Sequence, residues 1–360
     1  MKVSALIVTY NQERYVAEAI ESALRQQASF PYEIVISEDC STDGTREIVR
    51  AYEAGNPGRI RVLYSARNLG GVENFVAAWH ACRGEYVALL EGDDYWTSED
   101  KIQKQAQFLD AHPQCAMCVH GVTEVYEDSD REPVSWINPQ QQAILVMEDL
   151  LLDNFVYSCS AMLRRRVFHD FRPWVYDFSV SDVPLWVEAA RHGAIGFIPE
   201  FLGVYRVHSG GVWSGKDVPY QVEQTIELYE QLNRDLHGAY EHVLRRTLAR
   251  FEGQLALERA GVPADAPVCV LSGGDDELLK LYRPARHLGE RAAASDEDAI
   301  RLLEEQVAGG WQYLLVPQPG LSWLESSPNF LAHARSYHRL IHRSPKSMVF
   351  ALGRRVEGKG

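Results

Sequence analysis

Tyr86-Val87-Ala88-Leu89-Leu90-Glu91-Gly92-Asp93-Asp94-Tyr95-Trp96 joins an apolar run to an acidic one. The first five residues are apolar without alternation, the pattern of a strand buried on both faces. Three carboxylates then fall within four residues. Like charges so close repel, and the arrangement is costly unless a cation offsets it. A hard divalent ion, Mg2+ or Mn2+, takes few protein carboxylates and completes its shell with phosphate oxygens, and it suits this run. The blander reading is a solvated turn.

The same grammar recurs on either side. Residues 3–8, 33–36 and 60–64 are further apolar runs. Between them apolar residues recur at helical spacing: Tyr15, Val16, Ala19, Ile20, Ala23 and Leu24, then Ile48, Val49 and Tyr52, then Phe75, Val76 and Trp79. The second of these helices is expected to start near Thr42 or Asp43, both good capping types. Strand–helix alternation predicts an α/β fold, a mostly parallel, Rossmann-like sheet with helices on both faces. Ligands of such sheets bind at the carboxyl ends of the strands. Further on, the pattern predicts a helix over 99–110 with Thr97 or Ser98 as cap, and a buried strand over 115–119. A polar loop over 128–139, a strand over 154–163 and a helix over 182–192 ending at Gly193 follow.

After Pro219 a helical stripe runs from Val222 to Phe251 with a weak point at Gly238, which reads as two consecutive helices. Strand patterns at 268–271, 313–316 and 348–352 then outline a smaller unit. The expected organisation is an α/β domain over 1–220, a helical extension over 221–262 and a small α/β module over 263–360.

Composition narrows the classes. A chain of 360 residues with 46% hydrophobic content buries a core without disulfide or zinc staples. A net charge of −14 argues against a nucleic-acid partner, whereas a pyrophosphate can still bind through a divalent ion. The six cysteines are scattered, and Cys115-x-x-Cys118 near His120 lacks a second pair, so these residues read as core. No apolar run approaches the ~18 residues of a membrane span, and the N-terminal run is too short for a signal core. The expectation is a cytoplasmic protein, with peripheral contact at the inner face of the membrane left open.

Four polar clusters follow expected strands: Thr9-Tyr10-Asn11-Gln12; Glu38-Asp39 ahead of Ser41-Thr42-Asp43-Gly44; Glu91 to Asp94; and Asp182 with Tyr205-Arg206-Val207-His208. Singly, Asn11 and Asp182 read as helix caps, and His208 as an ordinary histidine. Glu38 and Asp39 exceed what turn chemistry needs, and a carboxylate there can accept hydrogen bonds from a base or ribose. Arg164-Arg165-Arg166 reads as a solvated basic turn, or as a guide for a phosphorylated or lipid-linked acceptor.

Taken in order, the strings ALIVTYNQERYVAEAIESALRQ, EIVISEDCSTDGTREIVRAY, RNLGGVENFVAAWHACRGEYVALLEGDDYWTSEDKIQKQAQFL and SDVPLWVEAARHGAIGFIPEFLGVYRVHSGGVW resemble the inverting glycosyltransferases of family 2, of bacterial polysaccharide type. The resemblance covers residues 1–215 and implies a GT-A fold and a metal-dependent transfer. The donor would be a UDP-, GDP- or dTDP-sugar, and the acceptor a glycan, lipid-linked or other hydroxyl. It places Thr9, Tyr10, Asn11, Glu38 and Asp39 on the nucleotide, with Asp39 bonding the base. Arg67 and Asn68 would lie near the donor. Asp93 would meet the ribose or donor sugar and stand as a second metal candidate beside Asp94, and His208 would complete the Mn2+ or Mg2+ site. Asp182 would act as general base. The first acid of the family's Asp-x-Asp triplet is Glu91 here, which leaves open which pair of acids serves the ion. The rival is a non-catalytic sugar-nucleotide-binding assembly subunit. Strings in the C-terminal module, including Ser272-Gly273-Gly274-Asp275-Asp276, resemble a unit of bacterial polysaccharide enzymes to which no reaction attaches.

Overall fold

Strand β1 (Val3–Thr9) is buried along almost its whole length, and α1 (Val16–Leu24) packs on one face of it. Val3, Ala5 and Ile7 share a core cluster with Val16, Ala19, Ile20 and Ala23. Burying each larger side chain contributes roughly 1.5–3 kcal/mol, so the 3.6-residue spacing of α1 and the unbroken apolar run of β1 reinforce one another. The computed structural model describes residues 1–136, 142–178, 182–271, 286–287 and 295–352. The chain divides into two compact units, Met1–Lys216 and Asp217–Gly360.

The first unit continues through β2 (Tyr32–Glu38), α2 (Thr45–Gly55), β3 (Ile60–Tyr64), α3 (Gly71–Ala81), β4 (Tyr86–Glu91) and the short β5 (Tyr95–Trp96). Next come α4 (Lys101–Ala111), β6 (Cys115–Tyr126), β7 (Val134–Trp136), β8 (Ile144–Leu145), α5 (Met147–Leu152), β9 (Met162–Arg164), α6 (Asp182–Ala190) and the long β10 (Ala194–Val207). The sheet runs β3-β2-β1-β4-β9-β6-β10-β5, with β7 on β6 and β8 on β10. β1, β2, β3 and β4 are parallel, as are β6 and β10, while β9 is antiparallel to both neighbours. This is the mixed α/β GT-A arrangement, with a sheet that is mostly parallel.

Several local expectations change. Residues 134–136, read as loop, form β7, because their backbone completes a hairpin with Val122 to Glu124 of β6. Residues 154–163 contain only a helical turn before the three-residue β9. α4 begins at Lys101 without a side-chain cap from Thr97 or Ser98. α2 begins at Thr45, whose N–H is met by Asp43 Oδ1 at 3.0 Å. Arg164 is neither a solvated turn nor an acceptor guide. It is buried and donates to the carbonyls of Cys115 (2.7 Å), Leu109 (2.6 Å) and His112 (3.3 Å). The cysteines are free, and those of β6 lie in the core.

The second unit opens with α7 (Val218–Asp235) and α8 (Glu241–Arg259). Asp217 caps α7 by accepting from Tyr220 N at 2.9 Å, and the helix ends where Gly238 takes a φ of 72°. Its sheet runs β12 (Arg286–His287), β11 (Val268–Val270), β13 (Tyr313–Pro317), β15 (Ser347–Ala351), β14 (Arg339–Arg343). The helices α9 (Asp296–Ala308), α10 (Gln318–Glu325) and α11 (Pro328–Tyr337) complete it. Residues of α8 pack with β11, β13 and β15 in one cluster, and α9, α10 and α11 contribute to another. Ser272 to Asp276 lie outside the described residues. Among the described residues no helix is long and apolar enough to cross a membrane.

Candidate functional site

The carboxyl ends of β1, β2 and β4 lie side by side because Thr9 pairs in register with Glu38, and Val8 with Glu91. Thr9 is buried, and its hydroxyl donates to Gln12 Oε1 at 2.8 Å. Gly92 packs directly against it: a Cβ there would stand 2.6 Å from Thr9 Oγ1, so a side chain at 92 would push the two loops apart. Tyr10 is exposed. Asn11 does not cap α1, which starts at Val16. It adopts a φ of 52°, takes Ser41 Oγ as acceptor for its N–H at 3.0 Å, and accepts from Thr42 N at 2.8 Å. It therefore ties the first loop to the second.

The two acids after β2 have different tasks. Glu38 is fully buried; one oxygen accepts from Ser41 N at 2.6 Å and the other pairs with Arg46. Both oxygens thus serve the loop itself. Asp39 accepts from Leu69 N at 2.8 Å and Gly70 N at 2.9 Å, which holds the 67–70 turn against β2. Gly70 sits at a φ of 85°, open to glycine without strain. Burial raises the Asp39 carboxyl above its ordinary range, and the two backbone donors oppose that shift. Asn68 donates to the Asp39 carbonyl at 3.3 Å, and Arg67 is exposed beside it.

The acids after β4 form a repelling set. Burial pushes the Glu91 carboxyl up to about 7, helped by the charges of Asp93 and Asp182 and opposed by a hydrogen bond with Ser158. Asp94 is 1% exposed and is raised well above the ordinary carboxylate range by burial, then by Asp93 and Glu91. Its Oδ1 accepts from Arg206 N at 2.8 Å. Oδ2 of Asp94 and Oε2 of Glu91 are buried with no hydrogen-bond partner. Asp93 Oδ2 lies 3.0 Å from His208 Nε2, and the His208 ring packs 4.8 Å from that of Tyr15.

β10 delivers the opposite wall. β5, which carries the chain away from Asp94, pairs with Gly203 and Val204 of β10. Arg206 donates to the Asp93 carbonyl at 2.6 Å, pairs with Glu127 at 2.9 Å and with Glu18, and lies 4.5 Å over the Tyr95 ring. Asp182 opens α6, and burial raises its carboxyl while the N–H of Val183 opposes the shift. The Tyr205 phenol is raised by burial and then by the charges of Asp94, Asp93, Glu91 and Asp182.

Four expected residues therefore meet at the end of β4: Asp93, Asp94 and His208, with Thr9 reaching it through Gly92, while the charge of Asp182 acts on Glu91 and Tyr205. Asp39, Asn68 and Arg67 lie along the neighbouring turn. Arg206 and Tyr205 stand in the quoted string but carry no sign of their role. Only the strand pairing of β10 turns them toward the acids.

The acids fit a divalent cation. Two buried carboxylate oxygens want a positive partner, and the groups beside them raise the cost of leaving those oxygens charged. Asp93, Asp94 and His208 do not close into a compact three-ligand cage, because Asp93 faces His208 while Asp94 turns an oxygen to the backbone of Arg206. A site with one or two protein carboxylates and an outer shell from phosphates needs no such cage.

Comparison with known proteins agrees with this fold. Residues 4–172 match the family model described as Glycosyl transferase family 2. An uncharacterized protein of Mycobacterium tuberculosis is 37% identical over 219 residues, 59% of this chain and 60% of that protein. An uncharacterized glycosyltransferase of Nostoc sp. is 41% identical over 219 residues, 58% of this chain and 65% of that one. The chain thus spans about 60% of the length of the first of these curated relatives. The crystal structure of TarS 1–349 from S. aureus has the same fold, with a TM-score of 0.55 at 17% identity, covering 100% of this chain and 98% of that one. The mannosyltransferase PcManGT from Pyrobaculum calidifontis aligns with a TM-score of 0.52 at 17% identity, covering 93% of this chain and 86% of that one. The N-terminal unit, Met1–Lys216, belongs to glycosyl transferase family 2.

Proposed function

We propose that the N-terminal unit transfers a sugar from a nucleoside diphosphate sugar to an acceptor hydroxyl, with inversion at the anomeric carbon. The observation that carries this reading is the set of acids Glu91, Asp93 and Asp94 at the carboxyl end of β4, with two buried carboxylate oxygens left without a partner and His208 3.0 Å from Asp93. Asp182 is the base that takes the acceptor proton, a step worth about 10²–10⁴-fold in general. A carboxyl raised above its ordinary range is a better proton acceptor than a free aspartate. Asp94 would hold Mn2+ or Mg2+, with Asp93 and His208 beside it. Once bound, the ion offsets the charge that builds on the diphosphate leaving group. Asp93 also meets the ribose or donor sugar. Thr9, Tyr10 and Asn11 line the nucleotide side, Asp39 bonds the base, and Arg67 and Asn68 border the donor. Glu38 acts there through the loop it braces.

Relatives support the substrate class. TarS has been solved with UDP-GlcNAc, and the PcManGT mannosyltransferase with GDP-Man and Mn2+. TarS of Staphylococcus aureus is described as a poly(ribitol-phosphate) beta-N-acetylglucosaminyltransferase, and a 116-residue segment of this chain is 34% identical to it. We therefore place the acceptor among cell-surface polysaccharides or their lipid-linked precursors, handled at the cytoplasmic face of the membrane.

The test is nucleotide release from UDP-, GDP- and dTDP-sugars with Mn2+, with and without chelator, in the wild type and in Asp182→Asn and Asp94→Ala. Metal-dependent release from one nucleotide class, lost about a hundredfold in both variants, supports the reading. Failure to bind any of these donors overturns it.

A further inference from the structure

The C-terminal unit carries a side-chain cluster that sugar transfer does not use. Glu304 lies on α9 and His333 on α11. His338 follows α11 directly, where the chain turns into β14. One ligand atom from each, a carboxylate oxygen or an imidazole nitrogen, lies within 4.8 Å of the other two. His333 Nε2 is 2.7 Å from Glu304 Oε1, and His338 Nε2 is 3.7 Å from the same oxygen.

The backbone that presents these side chains is firmly held. Leu303, beside Glu304, and Ala334, beside His333, are both buried in one core cluster with Ala299 and Phe330. Asp296, at the start of α9, accepts from Asn329 N at 2.9 Å near the start of α11. The two helices are thus fixed at both ends of their contact. The side chains grade from core to solvent: His338 is 2% exposed, His333 18% and Glu304 48%.

We propose that Glu304, His333 and His338 form a zinc-binding site. Two imidazole nitrogens and one carboxylate oxygen are a donor set that suits Zn2+ better than Mg2+ or Ca2+, which favour oxygen shells. Ligand atoms about 2.0–2.1 Å from a tetrahedral zinc stand about 3.4 Å apart. The observed 2.7 Å and 3.7 Å bracket that spacing, so small rotations of the exposed Glu304 and half-buried His333 side chains admit the ion. Three protein ligands leave a fourth position, on the open side beside Glu304, for water or an external donor. The ion clips α9 to the α11–β14 junction and stabilises this small unit by binding the folded state alone.

The test uses the full chain carrying Asp94→Ala, so that metal uptake by the N-terminal acids does not contribute. Zn2+ titration by calorimetry gives stoichiometry and affinity, and Co2+ gives a visible absorption band if the site is tetrahedral. One equivalent of zinc, a zinc-dependent rise in Tm and the Co2+ band are the expected results. His333→Ala and Glu304→Gln, both at partly exposed side chains, should weaken zinc binding about tenfold or more and remove the Tm rise. Circular dichroism of the metal-free variants should match the parent. Zinc affinity unchanged in both variants, or no uptake by the parent, overturns the proposal. In that case the cluster is an ion pair joining two helices.

Discussion

The backbone N–H of Arg206 donates to Oδ1 of Asp94 at 2.8 Å, across 112 positions of chain. This bond joins the end of β10 to the acidic loop after β4, and the side chain of Arg206 adds the Asp93 carbonyl, Glu127 and Glu18. One residue therefore sets the position of both acids without being one of them.

Arg206→Ala should loosen that loop. It leaves the Asp93 carbonyl and Glu127 without their guanidinium, although Glu18 and Glu127 keep part of their water contact. A loss of about 2 kcal/mol in urea unfolding is expected, below the value for a fully buried pair. Donor KM should rise with it. An unchanged unfolding midpoint would contradict the bracing role.

Asp182→Asn should cut kcat by about 10²–10⁴-fold with the melting temperature unchanged or higher. The base works only when ionised, and burial raises its carboxyl. Activity is therefore lost as pH falls through a value above the ordinary aspartate range. The acid limb of the wild-type kcat/KM profile should lie above about pH 4. A limb at or below that value removes Asp182 as the base.

Asp94→Asn should separate stability from activity. Without metal, burial and then the charges of Asp93 and Glu91 disfavour the ionised side chain. Neutralising it should raise the metal-free Tm, by about 2–4 °C for ~1 kcal/mol in a chain of this size. Nucleotide release should fall at least a hundredfold, and Mn2+ should no longer raise the Tm. A lower metal-free Tm would mean that the carboxylate stabilises the fold instead.

Lys101 offers a pH test away from the acids. Its ammonium is fully buried, has no hydrogen-bond partner and lies 4.0 Å from the Trp96 ring. Burial lowers it to about 7 from 10.5. The unfolded chain holds this proton up to about 10.5 and the folded chain only up to about 7. The cost of the buried charge is thus complete below 7, and stability rises as pH climbs from 7 toward 10.5. Lys101→Met should raise stability by a few kcal/mol at pH 6 and by much less at pH 9.5. Equal gains at both pH values would show that packing, not charge, explains the effect.

Much of the fold was legible because both periods are local. The apolar runs of β1, β2 and β4 and the 3.6-residue stripes of α1 and α2 declare themselves without knowledge of their neighbours. β7 and β9 were not legible in this way. β7 is short and lies in a polar, proline-containing stretch, and it is a strand only because β6 is there to pair with it. Arg164 was misread for a related reason: three carbonyls from α4, the α4–β6 turn and the start of β6 receive its guanidinium, and they lie 49 to 55 positions away in sequence.

Among the candidate site residues, the sequence by itself determined which side chains carry charge at strand ends, because residue type and strand–loop order are local properties. That was enough to bring Asp39, Asp93 and Asp94 forward, while Asp182 and His208 gained their roles from the family resemblance. Tertiary structure decided what each does with its charge. Pairing between β5 and β10 placed Arg206 and His208 against the acidic loop, and Glu38 was drawn to Arg46 while Asp39 took the N–H groups of Leu69 and Gly70. Hydrogen bonds and desolvation depend on neighbours that are distant along the chain, and only folding brings them within reach.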